Sequence, residues 1–147
     1  MIDYIQKYKL DDKVAFVMGG AGLIGSEISK AFASIGTKTI ILDLDKINGE
    51  KLKNDLLNNG YSAEFRKFDC EDMENLEKNF LRLLDELGPI DIFINCSYPR
   101  TKAWSKSSFD EVTFSSFRKN VDVHMNSYAW FARLAAENMK KNNMKEV

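Results

Sequence analysis

The 147-residue sequence predicts an α/β fold, a doubly wound parallel sheet with strand order 3-2-1-4, and three observations carry that prediction. Apolar runs alternate with amphipathic stretches in a β-α-β-α order along the chain. The first run, Val14 to Met18, passes straight into Gly19, Gly22 and Gly25, spaced three apart, and then into a helix. The second run ends in Asp43, at about the distance where a carboxylate following such a turn meets the ribose of a bound dinucleotide.

Each element has its own signal. The first strand is apolar throughout, as a strand covered on both faces must be. The first helix carries Leu23, Ile24, Ile28, Ala31, Phe32 and Ile35 on one face, predicted to be its buried side, and stops at Gly36. Strand two covers residues 38–43, and a weaker helix with Ile47, Leu52 and Leu56 ends at Asn59-Gly60. Residues 62–68 alternate Ala63 and Phe65 with polar neighbours, the pattern of a strand at the sheet edge. The third helix has the cleanest stripe, from Met73 through Leu76, Phe80, Leu83 and Leu84 to Leu87, and Gly88-Pro89 closes it. Residues 90–94 form a fourth strand. A last long helix over 113–142 is predicted to bury Phe117, Val121, Met125, Tyr128, Phe131, Ala135 and Met139. Right-handed crossovers then dictate the 3-2-1-4 order, with helices on both faces.

Composition narrows the class. The chain is 44% hydrophobic with a net charge of -1, so no basic excess points to nucleic acid or to an acidic membrane surface. Its start is too polar for a signal peptide and no run approaches a membrane span, which predicts a cytoplasmic protein with a small-molecule partner. Cys70 and Cys96 follow different apolar runs, too few and too scattered for a disulfide framework or a metal cluster.

The glycine segment is suited to a pyrophosphate. Gly19 allows the tight turn, Gly22 the approach of the cofactor and Gly25 the packing of helix on strand, while the helix start turns N–H groups and a positive dipole end toward the anion. A ligand-free glycine turn is the competing reading. Asp43 could accept both ribose hydroxyls and would repel a ribose phosphate, and Gly20, Ala21 and Leu44 supply no cation to bind one, so NAD is favoured over NADP. As an alternative, Asp43 could simply cap its strand.

Four segments together resemble the short-chain dehydrogenase/reductase family and hence a Rossmann-type domain over residues 1–147. The glycine turn resembles its G-x-x-G-x-x-G spacing, with Met18 where threonine is usual and Leu23 where many members have glycine, which implies that Gly19, Gly22, Leu23, Ile24 and Gly25 line the cofactor. Phe68-Asp69-Cys70 resembles the adenine-side segment, in which Asp69 would accept from the adenine amino group. Asn95-Cys96-Ser97-Tyr98 stands in the place of N-N-A-G, whose backbone lines the cofactor; only the first asparagine remains, and Tyr98 would have to point away from the nucleotide. Residues 117–123 resemble the R-x-x-x-V-N-x-x-G region, which implies that Asn120 is the asparagine of the catalytic tetrad, holding a water in a proton relay. Asparagine is also a poor resident of a helix interior unless it has a polar task.

The resemblance implies hydride transfer between a nicotinamide and a carbinol or carbonyl, and a homo-oligomer for the full-length form. The sequence stops before the fifth strand, with its serine, and before the tyrosine and lysine four apart on the following helix, so these residues alone are expected to be inactive. Tyr98 and Lys102 have that spacing, but Pro99 disfavours helix at Tyr98 and places the pair in a loop. That loop leaves a central strand near the switch point of the sheet, where Arg100 could hold a phosphate or carboxylate or simply be solvated. Residues 96–100 also resemble a bacterial branch associated with flagellin and surface-sugar modification, which implies a sugar or sugar phosphate. His124, one turn beyond Asn120, is read as structural, and Met125, Met139, Trp104 and Trp130 as packing residues. A binding module without turnover and a methyltransferase-like domain are the competing classes; the Asp69 and Asn95 segments speak against the second.

Overall fold

A computed structural model describes residues 4–101 and 108–142. Four strands, β1 (Val14–Met18), β2 (Lys38–Asp43), β3 (Ala63–Lys67) and β4 (Ile92–Asn95), form one parallel sheet in the order β3-β2-β1-β4. After a short α1 (Tyr4–Lys7), helices α2 (Leu23–Ser34) and α3 (Lys46–Asn58) cross between the first three strands, and α4 (Leu76–Leu87) leads into β4. Helix α5 (Phe114–Val121) continues through a π-helical turn, Asp122–Asn126, into α6 (Ser127–Lys141). In register, Phe16 lies beside Ile40 on β2 and Phe93 on β4. The carboxylate of Asp91 fixes that pairing, accepting from the Val14 N–H at 2.8 Å and from the Lys13 ammonium at 2.9 Å.

Side chains alternate across the pleat, so each strand feeds two cores. Phe16, Met18, Ile40 and Leu42 point to one face, where α4 and α6 cover them; Ile41, Ala63 and Phe65 point to the other, against Ala33 of α2 and Leu52 and Leu56 of α3. The first core is organised around Phe80, whose ring meets Phe131 at 5.3 Å, Phe93 at 5.5 Å, and Phe16 and Phe68 at 6.4 Å. Most of these contacts are edge-on, the arrangement that aromatic quadrupoles favour.

The helices depart from the sequence expectation in three places. Helix α2 buries its small residues, Gly25, Ser29 and Ala33, and leaves Leu23 at 93% and Ile24 at 72% exposure. Backbone crowding at the glycine turn decides this: the helix approaches so closely that only small side chains fit between it and the sheet, so Leu23, Ile24 and Ala31 are exposed while Ile28, Phe32 and Ile35 stay half-buried along its flank. Ile47 on α3 is exposed for a related reason, since Gly49 and Leu52 take the inner side and Gly49 lies against the Phe65 ring. In the last helix, Phe117 and Met125 are exposed rather than buried. The π turn shifts the helical phase, so the inward row is Val123, Ser127, Phe131, Leu134, Ala135 and Met139. Helix α4 starts at Leu76, with Met73 in the turn before it and still packed on the core. Lys102, Trp104 and residues 144–147 lie outside the described residues. Trp130 is a surface residue, donating to Glu77 at 2.9 Å beneath the Arg133 guanidinium.

Phe80→Ala removes the ring on which four others converge. It is expected to lower unfolding free energy by about 3–5 kcal/mol, measured by denaturant titration.

Candidate cofactor site

The site is built where β1 ends. Gly19 takes φ +70°, a conformation that side-chain-bearing residues rarely adopt, and the N–H groups of Gly19 and Gly20 both donate to the Leu42 carbonyl, at 2.7 and 3.2 Å. A Cβ on Gly19 would stand 2.6 Å from the Ser97 nitrogen, and one on Gly25 would stand 2.0 Å from the Gly19 carbonyl oxygen. Two sides of the turn are therefore filled by backbone. The third side is open: a Cβ on Gly22 would meet only the Gly19 oxygen, at 3.3 Å. Gly22 also caps α2 without a side-chain hydrogen bond, so the helix start presents N–H groups there. Buried Ser29 locks the helix to the turn, its hydroxyl donating to the Gly20 carbonyl at 3.2 Å.

A cavity of about 560 Å³ opens in front of this turn, at the carboxyl ends of the strands. Gly19, Gly22, Leu23, Ile24 and Gly25 line it from the first turn, and Asp43 from the end of β2. Asp69 and Cys70 line it after β3, and Cys96, Ser97 and Arg100 after β4. Ten of the twelve residues singled out from the sequence thus share one cavity. Asn95 and Asn120 are not among its lining residues.

Asp43 accepts from the Ala21 N–H at 2.9 Å through one oxygen and from the Asp45 N–H at 3.0 Å through the other. It does cap its strand, yet a carboxylate has about four acceptor positions, and two bonds leave it capacity for a ligand hydroxyl. Asp69 accepts from the Glu71 N–H at 2.9 Å, which shapes the turn after β3.

The segment after β4 is held by Asn95, whose carbonyl oxygen accepts from the Ser97 N–H at 3.0 Å and its hydroxyl at 2.6 Å. The Tyr128 hydroxyl donates to the Ser97 carbonyl from α6. Sequence reasoning placed Tyr128 in the core; the missed signal was its hydroxyl, which needs a partner when buried. Burial pushes the Cys70 thiol above its ordinary range, opposed in part by a hydrogen bond with Ser97, and burial raises Cys96 and Tyr128 as well. All three groups stay neutral near pH 7, so no thiolate or phenolate faces an incoming phosphate.

Tyr98 borders the cavity, but its ring turns onto His124, with centroids 4.7 Å apart. Asn120 meets His124 through its carbonyl oxygen, 2.8 Å from the histidine Nδ1. Among the described residues, no group of His, Cys, Asp or Glu side chains is arranged to hold a metal ion, and no helix is long and apolar enough to cross a membrane.

A glycine turn facing an open cavity at the carboxyl ends of a 3-2-1-4 parallel sheet defines a Rossmann-type fold. Residues 13–146 match the sequence pattern of the family described as short chain dehydrogenase, and this chain belongs to that family. It is 33% identical over 134 residues to the uncharacterized oxidoreductase YuxG of Bacillus subtilis, covering 89% of this chain and 19% of that one. It is 26% identical over 125 residues to the post-translational flagellin modification protein A of Campylobacter coli, covering 81% and 47%. Galactitol 2-dehydrogenase of Rhizobium johnstonii is 26% identical over 138 residues, covering 94% and 52%. The chain therefore spans about half the length, or less, of these relatives.

Among solved structures, gox2181 superposes with a TM-score of 0.80 at 27% identity, over 95% of this chain and 53% of that one. The same fold is shared by a 7α-hydroxysteroid dehydrogenase complexed with NADH, at TM-score 0.80, 23% identity and 97% and 53% coverage. A metagenomic short-chain oxidoreductase in complex with NADP shares it too, at TM-score 0.77, 18% identity and 88% and 57% coverage.

Gly25→Val forces a branched side chain into the Gly19 carbonyl. The expected outcome is a chain that retains its far-UV circular dichroism and loses detectable NADH binding in calorimetry.

Proposed function

We propose that this chain is the cofactor-binding portion of an NAD-dependent short-chain oxidoreductase. The observation that carries the reading is the Asp43 carboxylate, which lines the cavity in front of the glycine turn with acceptor capacity to spare. Gly19, Gly20, Ala21 and Gly22 donate their N–H groups within the protein, so the N–H groups at the α2 start bind the pyrophosphate, and Asp43 accepts the adenosine ribose hydroxyls. Asp69 and Cys70 contact the adenine side. Asn95 acts through Ser97, holding the backbone of residues 96–97 against the cofactor. The bound nicotinamide supplies the chemistry, giving or taking a hydride at a carbinol or carbonyl carbon.

Asn120 is the tetrad member in this reading, and its part is to hold a water on the proton path. Serine, tyrosine and lysine partners in the family's arrangement do not occur in these 147 residues, so the chain alone binds nucleotide without turnover. A sugar or sugar phosphate is the proposed substrate class. The similarity to a flagellin modification protein and to galactitol 2-dehydrogenase supports it, as does Arg100 at the cavity rim, whose guanidinium suits an anionic substituent.

Cofactor choice gives the direct test. NADH should bind more tightly than NADPH in calorimetric titrations. Asp43→Ser with Leu44→Arg should move the ratio toward NADPH by about tenfold or more, since one charged hydrogen bond is worth about 1.5–3 kcal/mol. Equal affinity of the unaltered chain for both nucleotides would remove Asp43 from its role, and steady turnover with a panel of sugars and polyols would refute inactivity.

A further inference from the structure

We infer that Lys67 is a specificity-determining residue at the ribose end of the cavity: its ammonium meets a phosphate carried on the 2′-hydroxyl of the adenosine ribose, and so limits how strongly Asp43 excludes 2′-phosphorylated nucleotides. The inference rests on the proposal that Asp43 receives that ribose. In the parallel pairing of β2 with β3, Lys67 stands beside Asp43, just as Phe65 stands beside Ile41 two residues earlier. Side chains alternate along a strand, so Asp43 and Lys67 lie on the face that Ile41 and Phe65 occupy, the face packed by α2 and α3. Neighbouring strands are about 4.8 Å apart, and a lysine carries its ammonium on a flexible four-carbon stem. That reach extends from the backbone of β3 to a group held on the Asp43 carboxylate.

The charge of Lys67 is not spent inside the protein. Its side chain is exposed, and among the described residues it forms no ion pair. Glu64 on the same strand is taken by Lys38 at 2.7 Å and by Arg66 at 2.8 Å. Asp43 turns its oxygens to the N–H groups of Ala21 and Asp45, and Asp45 caps α3, accepting from the Asn48 N–H at 3.0 Å and the Asn48 amide at 2.7 Å. Directly after Lys67 the chain enters the cavity wall, which Phe68 and Asp69 line together with Asp43. A cation therefore stands at the rim of the cavity, one strand away from the carboxylate that faces the ribose.

No cation comes from Gly20, Ala21 or Leu44, the sequence neighbours of the ribose subsite, and only the pairing of β3 with β2 brings one there. A 2′-phosphate beside Asp43 suffers the repulsion of two anions, and an ammonium within reach of both offsets part of it. Lysine acts as a mobile point charge, so this compensation requires no fixed geometry. In so exposed a place it is worth about fivefold in affinity, less than the preference set by Asp43. NADH keeps its advantage, and loss of Lys67 widens the margin.

NADH and NADPH differ only in the 2′-phosphate, and calorimetric titration of both gives the test. In Lys67→Gln the ratio of NADH to NADPH affinity should rise by about fivefold. Lys67→Arg should hold the ratio within about twofold of the unaltered chain, as should Lys140→Gln, which removes an exposed cation from the last turn of α6. Added salt should narrow the difference in NADPH affinity between the unaltered chain and Lys67→Gln, because the contact is open to screening.

An unchanged ratio in Lys67→Gln would overturn the inference and make Lys67 a solvated surface residue. An equal rise in Lys140→Gln would also overturn it, tracing the effect to net charge alone. If the unaltered chain bound NADH and no NADPH, the inference would fail while the proposed function stood; if it bound neither, both would fail. Should Lys67→Gln not fold, Lys67→Thr, a residue suited to strands, removes the same charge and is held to the same outcomes.

Discussion

The site depends on one backbone contact. At Gly19 the end of β1 is wedged between the Ser97 backbone on one side and the start of α2 on the other, with room for no side chain in either direction. That contact sets how near α2 lies to the sheet, so Ser29 and Ala33 continue the close approach and Leu23 and Ile24 turn outward. It also sets where the segment after β4 runs relative to the first turn. The cavity is the space left in front of these two backbones. Its shape is fixed by missing side chains, which cost no rotamer entropy to order.

From this contact the wall extends through polar pairs that each hold a backbone. Asp43 joins the end of β2 to the first turn through the Ala21 N–H, and Asn95 folds the chain after β4 back on itself through Ser97. Tyr128 ties that segment to α6. Sheet, turn and last helix are thereby connected at one end of the molecule, while the Phe80 cluster fills the interior behind them. The division suits a domain that presents a preformed surface to a large, flexible nucleotide.

Much of this was legible in the sequence, because the signals were local. Strands β1 and β2 are continuous apolar runs, α4 has an unbroken stripe, and Gly88 and Asn59-Gly60 end helices where they stand in the chain. Right-handed crossover then left one strand order. What could not be read depended on contacts between distant segments. The face that α2 buries is decided by the crowding of Gly25 on Gly19, which periodicity cannot register. Phe117 and Met125 were misplaced because a π turn changes the helical phase between them and Phe131, and no composition signal marks it. Asp43 needed the structure to show that capping a strand and facing a cavity are compatible. His124 appeared isolated only because Tyr98, 26 positions earlier, reaches it through the fold.

The most direct test of the account is a structure of the chain determined with NAD bound. The expected complex has the pyrophosphate in front of the glycine turn on the N–H groups at the α2 start, the adenosine ribose hydroxyls on the Asp43 carboxylate, and the adenine beside Asp69 and Cys70. A nucleotide bound elsewhere, or one in this cavity with its phosphates away from the glycine turn, would contradict it.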